Sequence, residues 1–215
     1  MRVKEASSME IEMQFTHLCM GCMNNKGSVE VCPHCQWEES SKAKAPNHLP
    51  PRTMLSDQFL VGKVIDEDFY TITYLAFDTK KHQKLAIREF FPSRIVSRST
   101  EDYSISFPSS ESQEPFHFGL NKFAEETNLL TNSQPKRGIA KILTLLETNH
   151  TAYRIREYVE GTNFERFIKI DRGQISYTLL AKVIQPVISG LEYLHSRGIL
   201  HYTLQPDNII VTEKK

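Results

Sequence analysis

The chain has 215 residues, 26 acidic and 26 basic side chains, and 40% hydrophobic content, which fits one modest domain plus a small module. Without a basic tail or an acidic block, composition gives no support for electrostatic capture of nucleic acid or of a membrane surface. No apolar stretch approaches the ~20 residues that cross a bilayer, and Met1 to Gln14 lack a signal-peptide core, so a neutral cytoplasmic protein is expected.

In chain order, the first feature is a pair of C-x-x-C knuckles, Cys19-Met20-Gly21-Cys22 and Cys32-Pro33-His34-Cys35, which lie nine residues apart and hold all four cysteines. Two thiolates spaced by two residues can grip one ion from a single tight turn. Two such turns complete the tetrahedral shell that Zn²⁺ accepts, and four protein ligands leave no open position. A structural Zn²⁺ on Cys19, Cys22, Cys32 and Cys35 is therefore expected, in a zinc ribbon over residues 15–38. A metal explains these cysteines better than a disulfide framework in so short a segment, and it favours a reducing compartment. His17 and His34 read as solvent-facing neighbours. The ion should supply most of the module's folding free energy, on the order of 10 kcal/mol.

Residues 39–54 are polar and proline-punctuated, ending in His48-Leu49-Pro50-Pro51, and read as a linker extended around its prolines. Next, Phe59 to Val64 and Tyr70 to Phe77 are rich in β-branched and aromatic residues and flank Asp66-Glu67-Asp68, which predicts an antiparallel strand pair. Leu85-Ala86-Ile87 makes a third strand, and the serine-rich stretch from Ser97 to Pro115 reads as a surface loop. Phe116 to Leu130 reads as an amphipathic helix, followed by strands at Ile139 to Leu146 and Thr151 to Tyr158. The order is β-β-β-α-β-β, with no internal repeat. Apolar residues from Leu179 to Leu194 recur at three- and four-residue steps, predicting a long helix bent at Pro186 and capped by Gly198. Ile199-Leu200 and Ile209-Ile210-Val211 are expected as short strands around a loop.

Leu85-Ala86-Ile87-Arg88-Glu89-Phe90-Phe91-Pro92 is similar to the third-strand V-A-I-K segment of protein kinases. His201-Tyr202-Thr203-Leu204-Gln205-Pro206-Asp207-Asn208 is similar to their catalytic loop, and Glu157-Tyr158-Val159-Glu160-Gly161 looks like their hinge. From about Leu55 onward the chain thus resembles a bacterial serine/threonine protein kinase, in particular a group in which a zinc ribbon precedes the kinase domain. The resemblance implies an α+β fold: a zinc ribbon, an N-lobe of a five-stranded antiparallel sheet with one helix, and the first part of a helical C-lobe. Residues 55–215 would form an incomplete kinase-like domain, ending before any D-F-G segment.

Carried over singly, the family's functional positions are largely altered. Asp66, Asp68 and Thr71 stand where the family has the three glycines of its phosphate-covering loop, and each carboxylate near a phosphate costs ~1 kcal/mol or more. Arg88 replaces the lysine that pairs with phosphates and with a helix glutamate, and a guanidinium is not interchangeable with an ammonium there. Glu126 best matches that glutamate and is placed to pair with Arg88; Glu125 is the register alternative. Thr203 stands at the position of the catalytic aspartate and cannot act as a base near neutral pH, a role worth about 10²- to 10⁴-fold in rate. His201 and Asn208 are retained. Ala86, Arg88, Glu126, Glu157, Val159 and Asn208 are thus a vestigial nucleotide set, and ATP and Mg²⁺ binding is in doubt.

Three classes of function follow. The leading one is a non-catalytic interaction or regulatory module, with a protein partner or self-association through the long helix. A second is a serine/threonine kinase, or half of a split kinase, transferring phosphate from ATP. A third is nucleic-acid binding through the ribbon, which is disfavoured because only Lys26 lies between the knuckles and Glu30, Glu38 and Glu39 surround it.

Overall fold

Alternating apolar residues between positions 59 and 90 form three long antiparallel strands, β2 (Phe59–Glu67), β3 (Thr71–Asp78) and β4 (Gln83–Phe90). With β1 (Met54–Leu55), β7 (Ile142–Thr148) and β8 (Thr151–Glu157) they make a sheet in the order β1-β2-β3-β4-β8-β7. All five expected strands are present, and Met54–Leu55 adds a two-residue sixth at the edge. The computed structural model describes residues 14–41, 43–132, 138–170, 174–201 and 204–212. Contacts divide the chain into two units, Met1–Asn132 with Ile142–Glu157, and Ser133–Lys141 with Tyr158–Lys215.

In the first unit, the β2–β3 turn falls at Asp68 to Tyr70, two residues later than expected. The Asp68 carboxylate accepts the amides of Tyr70 and Thr71, each at 2.8 Å, so the aspartate begins the turn and does not end it. Strand period two then sorts the sheet's faces. Leu85, Ile87 and Glu89 share one face with Tyr74 and Tyr153 through the cross-strand pairs Tyr74↔Ile87 and Glu89↔Tyr153. Ala86, Arg88 and Phe90 share the other, where Phe90 meets Phe116 and Phe123 of helix α1 (Gln113–Thr131) at ring separations of 5.4 and 5.7 Å.

Two longer segments of the first unit also depart from the sequence reading. The supposed linker is packed: Leu49 is buried and donates its amide to the Tyr74 hydroxyl, and His48 is buried against Glu67. The stretch from Ser97 to Pro115 is not simply a surface loop. It contains the hairpin β5 (Ser97–Arg98) and β6 (Ile105–Ser106), with Arg98 and Ile105 buried.

The second unit contains β9 (Thr162–Asn163), α2 (Phe164–Ile170), α3 (Tyr177–His195), a 3₁₀ turn at Pro206–Asn208 and β10 (Ile210–Val211), which pairs with β9. Ser176 caps α3 by accepting the Leu179 amide, and the helix runs through Pro186. Gly198 ends it with φ +73, a left-handed conformation suited to glycine. Ile199-Leu200 is not a strand, because the Ile199 amide is taken by the Leu194 carbonyl in the helix's closing turn.

Candidate functional site

Arg88 sits on β4 beside the β2–β3 hairpin, and its partners come from that hairpin. Its Nη2 donates to Asp68 Oδ2 at 2.6 Å, and its Nε donates to Thr71 Oγ1 at 2.8 Å. Thr71 Oγ1 in turn donates to Asp68 Oδ2 at 2.9 Å. Asp68 therefore receives two amides, a hydroxyl and a guanidinium. Partial burial alone would raise its carboxyl, but the Tyr70 amide, the Thr71 hydroxyl and Arg88 hold it below the usual aspartate range.

The expected pairing of Arg88 with the α1 glutamate is not formed, in either register. Glu126 pairs with Arg154 at 3.1 Å, and Glu125 pairs with Lys122 at 2.8 Å on the exposed side of the helix. Arg154 is the cross-strand partner of Arg88 and stands nearer the helix, where it also donates to Thr127 Oγ1 at 2.9 Å and lies over the Phe123 ring. The guanidinium that α1 engages is thus on β8, and the one on β4 is left to the hairpin.

Of the remaining positions, Ala86 is fully buried on β4 opposite Arg156, and Glu157 is exposed at the end of β8. In the second unit Val159 is half-buried, His201 is exposed, and Asn208 is exposed at the end of the 3₁₀ turn. Thr203 and Tyr202 lie outside the described residues.

A buried polar cluster on the opposite sheet face escaped the sequence reading. Glu89 is completely buried and pairs with Arg98 at 2.6 Å. It also accepts the hydroxyls of Tyr74 and Tyr153 at 2.9 and 2.8 Å. Burial, reinforced by the Glu89 charge, raises both phenols, so they remain O–H donors. Leu49 and Asn149 donate to the two phenol oxygens, which closes the network. Period two in Leu85, Ile87, Glu89 is the signal that marks this carboxylate as inward-facing; nothing local marks Arg98.

The four cysteines converge. Cys19 and Cys35 sulfurs lie 3.6 Å apart, those of Cys22 and Cys32 3.8 Å, and all four lie within 4.8 Å of one another. A tetrahedral ion about 2.3 Å from each sulfur sets sulfur pairs roughly 3.8 Å apart, so the set fits a metal. The two knuckles repeat one backbone pattern. Cys19 N–H bonds the Asn24 carbonyl and Cys32 N–H the Trp37 carbonyl, while Met23 and Gln36 return amides to the Cys19 and Cys32 carbonyls. Met23 and Gln36 both have positive φ, 54 and 59. Trp37 closes the module over Gly21, where a Cβ would come within 2.5 Å of the Trp37 Cβ. His34 is exposed, as expected, and His17 is half-buried beside Phe15.

This chain belongs to the protein kinase domain family, which matches residues 73–215. It is 28% identical over 161 residues to MAP3K epsilon protein kinase 1 of Brassica napus, covering 74% of this chain and 11% of that protein. It is 24% identical to CBL-interacting protein kinase 10 of Oryza sativa subsp. japonica, covering 75% of this chain and 31% of the relative. The chain thus spans less than a third of the length of these curated relatives. Among solved structures, the PpkA-294 apo form superposes with a TM-score of 0.70 at 27% identity, over 78% of this chain and 58% of that one. Rad53 1-466 in complex with AMP-PNP superposes with a TM-score of 0.54 at 18% identity, over 73% of this chain and 35% of that one, a likeness of fold alone. Among the described residues, no helix is long and apolar enough to cross a membrane.

Proposed function

We propose that the chain is a pseudokinase-like interaction or regulatory module of the serine/threonine protein kinase family, with a structural Zn²⁺ held by Cys19, Cys22, Cys32 and Cys35. One observation carries the reading: Asp68 occupies both Arg88 and the hairpin amides of Tyr70 and Thr71. Those are the groups that would meet a nucleotide's phosphates by the family's logic, and a carboxylate of this chain already satisfies them. Glu126, committed to Arg154, does not orient Arg88, and Thr203 offers no base. Four thiolates leave the metal no open position, so its role is structural. The C-x-x-C spacing of all four cysteines, read as metal ligands, supports a reducing, cytoplasmic setting.

The kinase reading keeps a specific basis in the retained His201 and Asn208 and in relatives that carry the name kinase. Calorimetric titration with ATP, with and without Mg²⁺, together with radiolabel transfer, separates the two. The module reading expects neither saturable binding in the micromolar range nor transfer above background, and Thr203→Asp alone does not create transfer. Transfer by the unmodified chain that Asn208→Ala abolishes favours the kinase.

A further inference from the structure

The cysteine module is not a free appendage, and its points of attachment select one strand. The Met20 carbonyl, inside the first knuckle, accepts the Lys63 amide of β2 at 2.9 Å. Directly beside it, Gly62 receives the knuckle so closely that a Cβ there would lie 2.5 Å from the Met20 carbonyl oxygen and 2.4 Å from Met23 Cε. Met20 and Met23 are 1% and 3% exposed. The same part of β2 carries the register shifts between Val61 and Val64 and between Val64 and Asp66, so its ladder to β3 is interrupted where the knuckle sits.

Arg52 fastens the approach to the knuckle. Its guanidinium donates to the carbonyls of Phe15, Thr16 and Leu18, the residues leading into Cys19, at 3.4, 3.2 and 3.1 Å. Its own amide bonds the Val61 carbonyl of β2 at 2.7 Å. Glu39, just beyond the second knuckle, pairs with the same guanidinium and with Lys26. Burial opposes ionisation of Glu39, but Arg52 and Lys26 hold it below the usual glutamate range, so the tie is charged near neutral pH. The segments that precede the first knuckle and follow the second therefore converge on one arginine whose amide bonds β2.

From these contacts we infer that the cysteine module is a metal-dependent clamp on β2, and that its metal occupancy sets the order of the β2–β3 hairpin presenting Asp68 to Arg88. The inference rests on the metal reading of the four cysteines. The position of Met23 is what links the two. It follows Cys22 directly, holds a left-handed φ of 54 and rests on Gly62, a conformation that costs a non-glycine residue and persists when surroundings impose it. Without an ion the knuckle loses what fixes Cys22, and Met20 and Met23 lose their fixed seat on β2.

The test is hydrogen exchange by mass spectrometry on the full chain, as purified, after removal of metal with a divalent-ion chelator, and after Zn²⁺ is restored, with metal content measured in each sample. Expected is one Zn²⁺ per chain, and an exchange rise of about tenfold or more in residues 59–71 on chelation, reversed by Zn²⁺, with β7 and β8 unchanged. Met23→Ala, which keeps all four ligands, is expected to retain zinc yet show the raised hairpin exchange before any chelation. Zinc bound and removed with unchanged exchange in residues 59–71 overturns the clamp while leaving the metal reading intact. A rise spread equally over β4, β7 and β8 also overturns it, because the ion would then support the whole unit. Absence of stoichiometric metal overturns both readings.

Discussion

Asp68 Oδ2 and the Arg88 guanidinium lie 2.6 Å apart, joining the tip of the β2–β3 hairpin to the strand that family members use to position phosphate. The same carboxylate takes the hairpin amides, so one side chain satisfies the donors a phosphate would need. Removing it should reveal an anion seat. Asp68→Ala is expected to bind ATP or inorganic phosphate at least about tenfold more tightly than the parent, corresponding to ~1.4 kcal/mol of relieved repulsion and freed donors. Asp68→Ala with Arg88→Met should lose that gain. Equal, negligible binding by parent and Asp68→Ala in a calorimetric titration would show that the carboxylate is not what closes the site.

The depressed Asp68 carboxyl also makes the hairpin pH-sensitive. Its folded pKa lies below the ordinary aspartate value of 3.8, so its contribution to stability is fully present above that value and is lost as pH falls through the lower folded one. Protection of the Tyr70 and Thr71 amides should therefore weaken below about pH 4, once intrinsic exchange is corrected for pH. In Asp68→Asn this step should vanish. An identical acid profile in the two proteins would assign the change to other carboxylates.

On the other face of the sheet, Arg98 is the only cation on the completely buried Glu89 among the contacts described. Deleting one member of such a pair strands the other without solvent, a loss of about 3–5 kcal/mol. Arg98→Ala should lower the melting temperature on the order of 10 °C, given ~2–4 °C per kcal/mol at this chain size. Replacing both, as Glu89→Leu with Arg98→Met, should recover only part of the loss, because the charge is gone but the buried Tyr74 and Tyr153 hydroxyls then lack their acceptor. A melting temperature for Arg98→Ala within a degree or two of the parent would mean that water or another group neutralises Glu89.

Why some of this was legible in the sequence and some was not follows from distance along the chain. The knuckles are written locally, since two residues between cysteines fix both the turn and the bite, and their sulfurs do converge. The five long strands and the two long helices follow from periods read over short windows and appear within a few residues of expectation, whereas Ile199-Leu200 is not a strand and the short β9 and α2 carried no such period. Partner choice among charges is different. Arg88 had Glu126 expected for it, with Glu125 as the register alternative, but Arg154 of β8 takes Glu126 instead, a consequence of cross-strand register that no local pattern encodes. Arg98, in a polar serine-rich stretch, gave no sign that it would seal a buried carboxylate. Nor did residues 39–54, where prolines suggested an extended tether, announce that Leu49 and His48 would be buried.

Helix α3 sets the last expectation. Tyr177, Leu180, Ile184, Val187, Ile188 and Leu191 fall within about 100° of one another on a helical projection. Tyr177, Leu180 and Ile188 are 86%, 39% and 50% exposed, and among the helix's described residues only Gly190 and Leu194 are buried. An apolar stripe of that length on a soluble surface marks an interface or an aggregation liability when it exceeds a few hundred Å². Self-association is therefore expected over a dilution series in light scattering after gel filtration. Leu180→Glu with Ile188→Glu should shift the population toward monomer without changing the helix content read by circular dichroism, because both side chains are exposed and neither is among the helix's buried residues. A parent protein that stays monodisperse and monomeric at every concentration, with no binding of a dye for exposed apolar surface, would remove the stripe from consideration as a contact face.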